Sequence, residues 1–308
     1  MRIGTRGSAL ALWQANTVAQ RIHESGGPQC EIVIIRTSGD ESAGPPDPPR
    51  PGDNVKRAFV KEIEDALLNG HIDMAVHSAK DLPGDLPEGL VIAATLERED
   101  PRDALLLPAG RPAAGLEAAK TALGDAARIG TSSVRRAAEL RRVFPGATFL
   151  PVRGNVDTRL RKLDAGECDA LVLAAAGVKR LGLERRLTVL LPLDVCVPAP
   201  GQGIVAVEVS DRSEEARAIA GRISDLDAST ALTAERAVVR ALGGGCQMPL
   251  GALAHVDEHD MVMHGIVASL DGGAIVRATA RGRRGNPAAV GEKLAAQLLA
   301  RGAADLLK

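Results

Sequence analysis

The segment Arg2-Ile-Gly-Thr5 returns as Arg128-Ile-Gly-Thr131, and Asn69-Gly-His-Ile-Asp-Met-Ala-Val76 is echoed by Ala165-Gly-Glu-Cys-Asp-Ala-Leu-Val172. Each copy of the first sits at a short apolar strand and opens a helical stretch, Ser8 to Ile22 or Ser133 to Val143. Each copy of the second follows an amphipathic stretch, Val60 to Leu68 or Val156 to Asp164, and reads as a buried strand leading into a turn. A four-residue identity arises by chance. Two elements repeated in the same order predict two similar α/β lobes. Strands alternating with helices imply mostly parallel sheets, with ligands at the carboxyl ends of the strands.

Two segments read as crossings between the lobes: Glu97-Arg-Glu-Asp-Pro-Arg-Asp103, and Val197-Pro-Ala-Pro-Gly-Gln-Gly203 followed by a strand from Ile204 to Val209. If both join the same lobes, residues 1–97 and 203–221 form a discontinuous first lobe and 101–197 the second. That is the plan of a hinged protein with its ligand in the cleft. From about Asp225 the texture changes. A helix at Ser229–Leu242 precedes strands near Leu250–Val256, Met261–Ala268 and Ala274–Ala280, with Asp271-Gly-Gly273 as a hairpin turn and a last helix at Pro287–Ala300. Residues 225–308 thus read as a small α+β domain. The proline-rich run from Gly44 to Gly52 is incompatible with helix or central strand and reads as a loop at the edge of a lid.

The chain carries 38 basic and 39 acidic residues, so it has no global field for nucleic acid or membrane surfaces. One tryptophan, three phenylalanines and no tyrosine leave nothing for a base-stacking platform. Four scattered cysteines without C-x-x-C spacing, and six histidines without a ligand pattern, predict no metal site and a reducing, cytoplasmic setting. The amino-terminal sequence has no long apolar segment, so neither a signal peptide nor a membrane span is expected. Against this neutral background, Gly130-Thr-Ser-Ser-Val-Arg-Arg136 and Arg153-Gly-Asn-Val-Asp-Thr-Arg159 set four arginines beside hydroxyls and glycines at strand-to-helix turns. Helix N-termini and guanidinium forks bind anions, so the pattern points to a small polyanion.

Thr5-Arg-Gly-Ser8 and Thr131-Ser-Ser133 offer hydroxyls at two helix starts. Capping alone explains an isolated Ser or Thr, but Arg6, Arg135 and Arg136 favour anion binding. Arg161 and Lys162 read as solvated charges. His77-Ser-Ala-Lys-Asp81 puts a cation and a carboxylate at a strand's carboxyl end, where a site and a surface ion pair are equally good readings. Cys246, after three glycines, is either a small buried residue or an accessible thiol suited to covalent modification.

The motif order resembles the porphobilinogen deaminases, also called hydroxymethylbilane synthases. The resemblance rests on Thr5-Arg-Gly-Ser-Ala-Leu-Ala-Leu-Trp-Gln14, Phe59-Val-Lys-Glu62, Ala75-Val-His-Ser-Ala-Lys-Asp81, Arg98-Glu-Asp-Pro-Arg-Asp103, the two arginine segments, Pro200-Gly-Gln-Gly203 and Gly244-Gly-Cys246. It covers essentially the whole chain. It implies two similar periplasmic-binding-protein-like lobes around a cleft plus a small α+β C-terminal domain. It also implies a monomeric cytoplasmic transferase of haem biosynthesis, without nucleic-acid or membrane partners, that joins four porphobilinogens head to tail with loss of ammonia and releases a linear tetrapyrrole.

The same resemblance implies a dipyrromethane cofactor linked through Cys246. Asp81 matches the catalytic aspartate. Lys80, Ser78, Thr131, Ser133, Arg135, Arg136, Arg159 and Gly154 match cofactor-binding positions; Arg6, Ser8, Lys56, Phe59, Arg153, Arg180 and Gln202 match substrate-binding ones. The chain departs from the family's glycine-rich lysine loop, reading Gly52-Asp-Asn-Val-Lys-Arg57. Only Lys56 matches there, so elongation is the step expected to differ. The competing readings are an altered homologue and a non-catalytic two-lobed binder of small carboxylate anions.

Overall fold

The computed structural model describes residues 1–38, 59–243, 249–269 and 271–307. The Gly44–Gly52 run, Lys56 and Cys246 lie outside them. The chain starts with β1 (Arg2–Thr5), β2 (Glu31–Ile34), β3 (Met74–Ser78) and β4 (Leu90–Thr95). It then moves to a second sheet made of β5 (Asp103–Leu106), β6 (Arg128–Gly130), β7 (Thr148–Leu150), β8 (Ala170–Ala174) and β9 (Val189–Leu190). β10 (Val205–Ser210) then returns to the first sheet.

The strand orders are β2-β1-β3-β10-β4 and β7-β6-β8-β5-β9. In each sheet the first three strands are parallel and the fourth runs against both neighbours. That reversed strand is the one that follows a crossing directly, β5 after the first and β10 after the second. Entering from the other lobe, it runs against the strands wound by helical crossovers within the lobe. β3, β5, β8 and β10 are covered on both faces, which explains their nearly continuous apolar sequences.

The repeated sequence is repeated in atomic detail. Arg2 donates its backbone N–H to Asp73 Oδ2 at 2.7 Å and Nη2 to Asp73 Oδ1 at 2.7 Å and Gly70 O at 3.0 Å. Arg128 does the same with Asp169 Oδ2 at 2.8 Å, Asp169 Oδ1 at 2.7 Å and Gly166 O at 3.0 Å. The arginine and aspartate shared by the two copies thus fasten the same strand pair in each lobe.

The third sheet, β11 (Leu250–Val256), β12 (Asp260–Ala268) and β13 (Ile275–Arg283), is antiparallel. One face packs Ala252, Met261, Met263 and Val267 under the helices Leu226–Ala241 and Pro287–Ala300. From the other, Leu253, Ile266 and Ala268 meet Ala138 of the second lobe and Val197 of the crossing. Among the described residues no helix is long and apolar enough to cross a membrane.

The return crossing is held against the outgoing one at Gly203, whose φ is +89°. A Cβ there would fall 2.3 Å from Glu99 O. Gly203→Ala should therefore lower the unfolding free energy by about 2–4 kcal/mol in urea denaturation. Gly221→Ala, where the added methyl meets nothing, should change it by less than about 1 kcal/mol. Equal costs at both positions would count against the packing argument.

Candidate functional site

β1 and β3 are neighbouring parallel strands, so the segments after them emerge side by side. After β1 comes Arg6-Gly-Ser8, where the Ser8 hydroxyl accepts from Ala11 N at 3.3 Å and caps the Ala9–Glu24 helix. After β3 comes the single 3₁₀ turn Ala79–Asp81. Arg6, Ser8, Gln14, Phe59, Ser78 and Asp81 line one pocket at this edge. The Arg6 guanidinium lies 4.4 Å from the Phe59 ring centre, a cation–π distance.

The turn bearing Lys80 and Asp81 is clamped by the return crossing. Ala79 N donates to Ile204 O at 2.9 Å. Gly201, with φ +74°, leaves no room for a side chain: its Cβ would lie 2.9 Å from Lys80 N. Pro200-Gly-Gln-Gly203 thus holds the turn that carries the candidate catalytic carboxylate.

The second lobe repeats the arrangement. Ser133 caps the Val134–Arg141 helix by accepting from Arg136 N at 3.4 Å, and the Thr131 hydroxyl accepts from Ser133 N at 3.2 Å. Arg159, on the Val156–Asp164 helix, donates Nε to Gly154 O at 2.7 Å. Arg153 is exposed. Arg180 is buried and donates Nη2 to Gly203 O at 2.7 Å.

Burial pushes Lys80 down to about 8. Asp81 and Asp103 oppose that shift; Arg136 and Arg159 reinforce it. Arg159 is pushed down to about 10 by burial, with Arg136 and Arg153 adding to the effect and Asp81 opposing it. Lys80, Arg136, Arg159 and Asp81 therefore share one electrostatic environment drawn from both lobes. Among the described residues Lys80 and Arg159 have no ion-pair partner, whereas Arg136 is paired with Asp103.

Arg135 sits apart from this group. Only 4% exposed, it donates Nη2 to Asp103 Oδ2 at 2.7 Å and Nη1 to Glu139 Oε1 at 3.4 Å and to the Val197 carbonyl. Arg136 donates Nε to the other oxygen, Asp103 Oδ1, at 2.9 Å. Gln202, 1% exposed, gives Nε2 to Asp103 Oδ1 at 2.9 Å and to Pro101 O at 2.7 Å. Arg135 and Gln202 are thus parts of an internal junction. Burial alone would raise the Asp103 pKa, but Arg135 and Arg136 outweigh it and hold the carboxyl well below the usual range.

Several contributors were not singled out from sequence. Asp103, Glu139 and Glu235 are fully buried carboxylates at the junction. Glu235 takes Arg98 at 2.6 Å, Gly201 N at 2.6 Å and Ala254 N at 2.8 Å. Gln14 Nε2 is buried beside the pocket without a hydrogen-bond partner among the described residues. His77 Nε2 lies 3.2 Å from Glu208 in another buried pair. A charged residue inside the apolar strand of Glu208, and one opening the apolar strand of Asp103, are the signals available in the sequence.

A family model described as "Porphobilinogen deaminase, dipyromethane cofactor binding domain" matches residues 1–218, and one described as "Porphobilinogen deaminase, C-terminal domain" matches residues 229–300. The chain is 45% identical over 309 residues to a porphobilinogen deaminase of Syntrophotalea carbinolica, covering 100% of this chain and 95% of the relative. It is 45% identical over 307 residues to one from Roseiflexus sp., covering 99% and 97%. Among solved structures, immunogenic lipoprotein A from Vibrio vulnificus superposes with a TM-score of 0.45 at 15% identity, over 75% of this chain and 97% of that one. The VFT2 domain of Bordetella pertussis BvgS does so with 0.42 at 14%, over 72% and 84%.

The Asp103 junction yields a signed expectation. Asp103→Asn should destabilise the fold by about 3–5 kcal/mol at pH 7, because two buried guanidiniums lose their anion. The folded pKa is depressed, so the stabilisation is present above the unfolded value near ~4 and fades as pH falls below it. Urea unfolding from pH 7 down to 3 should show the gap between parent and variant narrowing. A constant gap would mean that the carboxylate's charge is not what stabilises.

Proposed function

The chain belongs to the porphobilinogen deaminase family, and from that premise we propose how its residues divide the work. It is a transferase that joins four porphobilinogens head to tail, with loss of ammonia, and releases hydroxymethylbilane. The observation that carries the residue assignment is the set of under-compensated cations around Asp81.

The residues fit a covalent dipyrromethane. Lys80 and Arg159 are held low by burial and by neighbouring cations, and the buried Gln14 amide lacks a partner among the described residues. Each pyrrole carries an acetate and a propionate, the groups such a site lacks. Lys80, Arg136 and Arg159 would hold cofactor carboxylates, with Ser78, Thr131 and Ser133 shaping the turns around them. Gly154 fixes Arg159 through its carbonyl. Cys246 would be the covalent attachment point. When bound, the dipyrromethane supplies the pyrrole carbon to which each new unit is joined.

Arg6, Ser8 and Phe59 line the pocket assigned to incoming substrate, with Arg153, Arg180 and, from the motif match, Lys56 as further cations. Arg135 and Gln202 are assigned to the framework, because their polar atoms are committed to Asp103 and neighbouring carbonyls, whereas Arg136 shares Asp103 but its charge also acts on Lys80 and Arg159. Asp81 is the catalytic group. Its carboxylate can accept from a pyrrole N–H and stabilise the positive charge that develops as ammonia leaves; in its acid form it can protonate the departing amine. The turn under Gly201 limits where that carboxylate can move.

We assign residues 1–97 with 203–221, 101–197 and 225–308 as the three domains, an assignment supported by the three sheets. A monomer in the cytoplasm is the setting that the near-neutral charge and scattered cysteines support.

Intact-protein mass tests the reading directly. The parent should carry two condensed pyrrole units that Cys246→Ser lacks. A parent that is unmodified and gains no mass with porphobilinogen would sink it. Asp81→Ala should lower ammonia release by at least about 100-fold with an unchanged circular-dichroism spectrum. Turnover near the parent's would remove Asp81 from the mechanism.

Lys80 gives a pH prediction. At about 8 it is partly neutral at pH 8.5, and a carboxylate partner favours its charged form. Porphobilinogen binding at pH 8.5 to Cys246→Ser protein, which lacks the attachment point, should therefore take up protons, read with a pH indicator in weak buffer. Lys80→Arg, charged throughout, should lose that uptake; an unchanged uptake would place the proton elsewhere.

A further inference from the structure

A small helix contact beside the pocket joins the two lobes. Leu10 and Trp13 project from the Ala9–Glu24 helix of the first lobe toward Gly177 and Arg180 of the Ala175–Arg180 helix in the second. The spacing is i, i+3 on both sides, so each pair forms one step of a helix face. A Cβ built on Gly177 would sit 3.4 Å from Leu10 Cδ2, and Leu10 also lines the pocket. The Arg180 guanidinium carbon stands 5.5 Å from the Trp13 ring centre.

Neither residue has a purely structural explanation. Trp13 remains 39% exposed, while the helix buries Gln14, Ala15, Val18 and Ile22 on another face. Arg180 is only 9% exposed. A guanidinium has five N–H donors, yet among the described residues the Arg180 side chain makes one hydrogen bond, to Gly203 O. Glu99, the carboxylate whose charge it feels, already pairs with Lys179 at 3.0 Å. Burial pushes Arg180 down to about 10. A desolvated cation with spare donors and no anion of its own is a receptor for a carboxylate. Trp13 is the side chain of the opposite lobe that lies against it.

We propose that Trp13 is a positioning residue for substrate binding: its indole face holds the Arg180 guanidinium at the seam between the lobes, where it takes a pyrrole carboxylate. The inference rests on the deaminase reading for the identity of that carboxylate. Indole is the aromatic face that binds cations best, and desolvation strengthens the contact. The pair also ties anion binding to the relative placement of the lobes, since each partner belongs to a different one.

A double-mutant cycle on the holoenzyme tests this. Trp13→Leu should raise the KM for porphobilinogen about tenfold with kcat within about twofold. Trp13→Phe, which restores an aromatic face, should bring KM back to within about threefold. In an Arg180→Gln background, Trp13→Leu should change KM by less than about twofold, because the group it acts through is gone. An equal effect in both backgrounds, or a fall in kcat with unchanged KM, would overturn the proposal.

A second readout does not need turnover. Trp13 is the chain's only tryptophan and there is no tyrosine. Adding porphobilinogen should change its emission in the parent and leave it unchanged in Arg180→Gln; a change that persists in Arg180→Gln also overturns the proposal. Ammonia release by the parent judges the deaminase reading alone. Were release absent, that reading would fall while the emission arm still decides the role of Trp13.

Discussion

Asp103 is a carboxylate with no access to solvent, placed where the chain first enters the second lobe. An ion buried this deeply is tolerable only with its partners in place, and the arrangement of the molecule supplies them. Arg135 and Arg136, adjacent on one helix, take one oxygen each, and Gln202 arrives from the return crossing to share Oδ1. One side chain therefore joins the outgoing strand, a second-lobe helix and the segment leading back to the first lobe. Glu139 and Glu235 extend the same logic to the third sheet. Glu139 accepts from Arg277 of β13 at 2.7 Å and from Val197 N at 3.1 Å, and Glu235 holds Arg98 and Gly201. Three buried carboxylates thus fix both crossings against the C-terminal domain.

The Ala79–Asp81 turn depends on that junction. Gly201 and Gly203 can press against Ala79, Lys80 and Glu99 only because Gln202 between them is anchored to Asp103 and Pro101. The Pro200-Gly-Gln-Gly203 motif is therefore a clamp on the Asp81 turn. The glycines supply backbone conformation and close approach, and the glutamine supplies the anchor. Asp81 emerges from a strand whose neighbours are set by a crossing, and the crossing by a buried ion.

The α/β plan was legible because it is written twice. The recurrence of Arg-Ile-Gly-Thr and Gly-x-x-Asp reports the same pair, Arg2–Asp73 and Arg128–Asp169, closing the same strands in each lobe. The Leu250–Val256 strand and the Pro287–Ala300 helix are read at their observed limits; a proline at the helix start marks the second locally. The reversed strands were not legible. β5 and β10 look like their neighbours in composition, and their direction follows from which lobe the chain comes from. The site was legible as a set of cations but not as a division of roles. Arg135 and Arg136 are adjacent in sequence, and nothing local says that one faces inward.

That division explains how a chain with nearly equal acidic and basic counts can present a cationic cleft. Successive residues on a helix point about 100° apart, so Arg135 and Arg136 reach Asp103 from different sides and meet different further partners. Arg135 turns into the junction, where Asp103, Glu139 and the Val197 carbonyl surround it. Arg136 holds Asp103 too, yet its charge still reaches Lys80 and Arg159 and disfavours their charged forms. The inner arginine helps keep Asp103 ionised in the interior, and Asp103 in turn fixes the outer arginine's position. The outer arginine then raises the positive potential at Lys80 and Arg159, which have no ion-pair partner among the described residues. On the proposed assignment, a pyrrole chain that gains two carboxylates with each unit would relieve that potential as it grows. The positive potential at Lys80 and Arg159 therefore depends on ion pairs buried behind them.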